Sequence, residues 1–140
     1  MDNSSRPRWL SIAILAGVIY LAVGLASGAL AAAAASDQMR SFWRLSAFVI
    51  SGVVFVVHIA HEHFRLRNTS SLTAWHASAG VAFGAFGLAL SANIHDLGSA
   101  SGYRPRMLIA LVAWPALTAV PAFLVALVAA AVLGLRRRRN

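Results

Sequence analysis

Within six positions the chain places His58, His61, Glu62 and His63, and His76 follows after a short polar stretch. His58 and Glu62 stand at i and i+4 and so share one face of a helix, with His61 at i+3 from His58. Together with His76, the set His58, His61, Glu62 and His76 offers the nitrogen and oxygen ligands that zinc, copper or iron accept. A candidate metal site therefore rests on these four residues. The chain has no cysteine, so thiolate-ligated metals, iron–sulfur clusters and internal disulfides are excluded.

His76 also begins a stripe. His76, Gly80, Gly84, Gly87, Ser91 and His95 follow one another in steps of three or four and so lie on one helical face. His58 falls about five residues before the end of its apolar stretch and His76 about four after the start of the next, so both lie roughly 6–8 Å inside their helix ends. Two imidazoles at one depth on adjacent helices can ligate one metal. This arrangement resembles the membrane b-type cytochromes, in which haem sits between histidines on different helices of a bundle. The resemblance covers two histidines and a glycine stripe. It implies haem b held by His58 and His76, room for the macrocycle at Gly80 and Gly84, propionates neutralised by Arg65 and Arg67, and a role as an electron-transfer subunit.

Two other likenesses fail on their residues. The His-x-x-His-x-His string is similar to the histidine boxes of membrane di-iron oxygenases, but five histidines are too few for several boxes. The His61-Glu62 pair of a zincin would need a second histidine where Arg65 stands.

What positions these residues is a set of four apolar stretches, at about 9–35, 42–63, 72–94 and 107–135. A helix needs about 20 apolar residues to cross a bilayer, and each stretch reaches that length. Hydrophobic residues make up 59% of the 140 and charged residues 11%, which suits membrane segments and leaves no room for a soluble domain. Backbone groups in hydrocarbon must satisfy one another within the segment, so the spans are helices, and the alternation of a membrane barrel is absent. The expected fold is all-α: one transmembrane domain over 1–140, four helices in an antiparallel bundle. Arg6 and Arg8 precede an apolar run ending in Ala33-Ala34-Ala35-Ser36, which looks like a signal peptide. The run is much longer than the roughly 7–15 residues of a signal core, so it is read as a true first span. Short connections make spans two and three antiparallel neighbours.

The net charge of +8 does not indicate nucleic acid. The four arginines at 136–139 directly follow the last span, where they suit anionic headgroups on the cytoplasmic side. All the basic residues are arginine, and eight of them fall on the side of both termini against four on the other. Both termini are therefore expected in the cytoplasm, in a bacterial inner membrane. Coupled transport is disfavoured because no carboxylate falls near the midplane; Glu62 lies at the edge of its span. Gly24 and Gly28 form a small-residue pair for close helix packing, Pro115 and Pro121 interrupt the fourth span, and His95-Asp96 suits a helix C-terminus. Partners are the bilayer and either other membrane subunits or a second copy. The alternative to electron transfer is a cofactor-free accessory or scaffold subunit, or a membrane protein with a bare histidine metal site.

Overall fold

The computed structural model describes residues 8–98 and 106–139, with side chains for 9–98 and 107–135. Arg6, Arg104, Pro105, the loop at 99–105, and the side chains of Arg8, Arg106 and the arginines at 136–139 lie outside the described residues. Four helices follow one another: α1 (Arg8–Ala32), α2 (Asp37–Phe64), α3 (Ser70–Leu97) and α4 (Arg106–Arg139). Each is long and apolar enough to cross a membrane. The exterior is apolar, with Leu15, Phe48, Val56, Ile109 and Val112 among the exposed large side chains, while His58, Glu62, Thr73, His76 and Asn93 are buried. That is the distribution a hydrocarbon solvent selects. The chain is a small multi-pass integral membrane protein.

Local chemistry sets the helix ends. α2 starts at Asp37, five residues before the apolar run, because Ser36 accepts the Met39 N–H at 3.2 Å and Asp37 adds negative charge at the N-terminus. α3 is capped by Thr69, whose Oγ1 accepts the Leu72 N–H at 3.3 Å. Asn68, which precedes the cap, turns its side chain back to Glu62. The α2–α3 turn closes through Arg65 and Leu66 N–H groups on the His61 carbonyl, with Arg67 in the left-handed region at φ 53. At the far end of α3 the Gly98 N–H donates to the His95 carbonyl at 3.2 Å, so His95 does sit at a helix C-terminus. Asn93 ties α3 to α4 by donating to the carbonyls of Ala89 and Met107, each at 2.9 Å. α4 stays continuous through Pro115 and Pro121.

The packing order differs from the chain order. α3 packs broadly on α4 and on α1, and α1 also packs on α2, whereas α2 makes limited contact with α3 and α4. α2 and α3 therefore meet mainly near their connecting turn, not along their whole length. The reason lies in the α3 glycines. A Cβ on Gly80 would lie 3.2 Å from the Ala13 carbonyl oxygen, and one on Gly84 only 2.6 Å from Tyr20 Cβ and 3.1 Å from the Gly17 oxygen. A Cβ on Gly87 would meet Leu21 at 3.0 Å. The partners advance together along both chains, so α1 and α3 run parallel, backbone against backbone, as small residues allow in membranes. Gly24 joins this seam against Leu88, while Gly28 faces open space. The N-terminus of α1, the α2–α3 turn and the C-terminus of α4 consequently share one end of the bundle.

Candidate functional site

Glu62 is the centre of that end. Its side chain is fully buried, near the last turn of α2, although the sequence places it at the edge of a span. Three groups converge on its carboxylate. His76 Nδ1 lies 2.8 Å from Oε2, the Asn68 amide donates to the same oxygen, and His58 Nε2 stands 3.8 Å from Oε1. The last distance exceeds hydrogen-bond length. α2 thus supplies His58 and Glu62 one turn apart, α3 supplies His76, and the turn supplies Asn68. α1 contributes Trp9, whose ring stacks on His76 at 4.4 Å between centroids and 5° from parallel. With Glu62 ionised, His76 Nδ1 carries the hydrogen and donates it, which fixes the tautomer and leaves Nε2 with the lone pair.

Several polar atoms here are buried without a partner: both nitrogens of His58, Oε1 of Glu62, both nitrogens of His63 and Oγ1 of Thr73. Each such atom costs about 1–3 kcal/mol, more for a charged group. Their concentration at one end marks a functional site more than a packing solution.

The expected residues divide as follows. His58, Glu62 and His76 come together. His61 does not; it points outward from α2 and is exposed, because its position is turned away from the Glu62 face. The four-residue metal set of His58, His61, Glu62 and His76 is therefore divided between two faces. Among the described residues no group of three or more His, Cys, Asp or Glu side chains is arranged to hold one ion. His63 is buried on another side, where its Cε1 lies 4.0 Å from a Cβ built on Gly134 of α4. Arg65 and Arg67 are exposed in the turn.

Comparison with known protein-family models, characterised proteins and solved structures returns no match. The reading of the site rests on its own geometry.

That geometry changes the expected part of the glycines. Gly80 does leave room, but it is taken by His58, whose Cε1 would lie 3.3 Å from a Cβ at this position, and by Ala13 and Ala16. The room at Gly84 is taken by Gly17 and Tyr20. A single carboxylate, that of Glu62, stands between the two imidazoles. Trp9 and Asn68 are the site members that sequence reasoning missed. Asn68 stands in the polar turn before α3 and Trp9 at the start of α1; only the parallel seating of α1 on α3 brings Trp9 to His76.

Proposed function

We propose that this membrane protein works through proton uptake and release at the His58–Glu62–His76 cluster, which clasps α1, α2 and α3 at one end of the bundle. The observation that carries this reading is one fully buried carboxylate bonded to the His76 imidazole of α3 and flanked at 3.8 Å by the His58 imidazole of α2. An ionisable cluster is expensive at membrane depth and is retained where it does work. Here the Glu62–His76 contact joins α2 to α3 and the stacked Trp9 joins α1 to α3. A change in proton occupancy alters the charge at the point where three helices meet, and so the packing that a neighbouring subunit would sense. Trp9 supplies the test. In a variant whose Trp43, Trp75 and Trp114 are replaced by phenylalanine, Trp9 emission is expected to change with pH as the stacked His76 ring gains charge. Glu62→Gln displaces that transition and His76→Phe removes it. Emission that is flat with pH, or a transition unmoved by Glu62→Gln, reduces the cluster to a structural clasp.

A second reading keeps the same histidines. His58, with both nitrogens unpartnered, lies across a carboxylate from His76. With Glu62 withdrawn, His58 and His76 would be the residues to hold haem b, with Arg65 and Arg67 in the adjacent turn, and α1 would have to leave the α3 glycines to admit the macrocycle. The protein purified from haem-replete cells would then show a Soret band, abolished in His76→Ala and retained in His95→Ala, whose ring lies at the opposite end of the bundle. A colourless protein leaves the proton reading alone.

A further inference from the structure

Beyond the cluster, a cavity of about 480 Å³ opens in the middle of the bundle. All four helices wall it: Tyr20 and Gly24 of α1, Ala47 to Phe55 of α2, Val81 to Leu88 of α3, and Trp114 to Ala122 of α4. Its size lies within the roughly 300–1,000 Å³ of small-molecule sites. The cavity exists because α1 takes the broad face of α3, while α2 diverges from α3 and α4 beyond their common end.

Three features select its occupant. The first is depth. Tyr20 and Gly24 fall near the centre of α1, and Val81 to Leu88 near the centre of α3, so the cavity lies at the level of the hydrocarbon core. The second is where it opens. Phe48 of α2 is 78% exposed and Trp114 of α4 is 52% exposed, and both line the cavity. The mouth is therefore the gap between α2 and α4, which faces lipid and not water. The third is chemistry. The lining is almost wholly apolar; the Thr118 hydroxyl is already bonded to the carbonyls of Trp114 and Pro115 at 3.0 and 3.1 Å, and the Tyr20 hydroxyl is buried without a partner. A polar head would lose hydration here and gain at most the single Tyr20 hydroxyl in return. A methylene chain would lose nothing and gain dispersion contacts.

We infer that this cavity is a binding site for one acyl chain of a membrane phospholipid, inserted sideways between Phe48 and Trp114 with its headgroup remaining at the membrane surface. Gly52 stands at the exposed rim of the site. It lines the cavity, and a Cβ built on it meets nothing within 4 Å. A large side chain at 52 can therefore enter the cavity without displacing a helix.

The test uses the full chain in detergent, titrated with a phosphatidylcholine brominated at mid-chain, with quenching of Trp114 emission as readout in a variant whose other tryptophans are phenylalanine. Saturable quenching is expected, with native mass spectrometry showing one retained lipid per chain. Gly52→Phe should weaken binding at least tenfold while leaving the helical circular dichroism and elution volume unchanged. Ala122→Leu, which narrows the cavity from α4, should weaken it in the same direction. Tyr20→Phe should leave affinity within twofold, since a chain makes no hydrogen bond. Unsaturable quenching, or equal affinity in Gly52→Phe, overturns the proposal. A marked loss in Tyr20→Phe overturns it in favour of a ligand with a polar group at the midplane. A dimer in which a second copy covers Phe48 and excludes the lipid also overturns it.

Discussion

Gly84→Leu is expected to abolish the folded bundle. A Cβ at this position would already stand 2.6 Å from Tyr20 Cβ and 3.1 Å from the Gly17 carbonyl oxygen, and leucine adds three further carbons beyond it. One of these neighbours is backbone, so relief requires α1 to move away from α3. Overpacking of a well-packed interior costs about 1–3 kcal/mol, and backbone opposition puts this case at or above the top of that range. Lifting α1 would also separate Trp9 from His76 and uncover the Glu62 cluster. The measurement is thermal unfolding in detergent followed by circular dichroism, with size-exclusion elution as a check. Gly28→Leu is the control, because a Cβ on Gly28 meets nothing within 4 Å. A Gly84→Leu protein that melts with the parent would show that the parallel α1–α3 seam does not hold the bundle together.

Removing the Glu62 carboxylate is the second large perturbation. Glu62→Ala leaves His76 Nδ1 and the Asn68 amide without the acceptor they share and opens a void at a fully buried position. Each buried donor left without an acceptor costs about 1–3 kcal/mol, and the void adds to that. Glu62→Gln should cost less, since its amide oxygen can still accept one hydrogen bond and the volume is kept. The double variant Glu62→Leu with His76→Phe should recover part of the loss, because the His76 donor is removed and the volume is refilled, leaving only the half-buried Asn68 amide without its acceptor. Denaturant titrations in mixed micelles would give the ranking. If Glu62→Ala is no less stable than Glu62→Gln, the carboxylate does not bind the helices together, and the clasp must rest on packing alone.

The two perturbations meet at Gly80. Its missing side chain lets the α1 backbone approach at Ala13 and lets His58 turn inward beneath it. One glycine therefore serves both the helix seam and the site.

The sequence by itself determined the four helices and their approximate limits, because a hydrocarbon solvent demands about 20 apolar residues and internal backbone bonding, and nothing else satisfies both. It also determined that His58, Glu62 and His76 lie at one end, since a short turn between two spans leaves their flanking residues no other place. Helical periodicity further put His58 and Glu62 on one face with His61 at i+3, so a metal set could be drawn across all three; the structure turns His61 outward. What only the tertiary structure decided was which helix fills the α3 glycine stripe. Periodicity tells which residues share a face, not what lies opposite it, and a macrocycle, α2 and α1 all suit a row of glycines. The answer, α1 in parallel, brought Trp9 to a histidine 67 positions away, turned Glu62 from an edge residue into the buried centre of the site, and left α2 standing apart where the cavity opens. Each of these depends on the angle and register at which two helices meet. Those are fixed by many small contacts along the whole seam, and no short stretch of the chain encodes them.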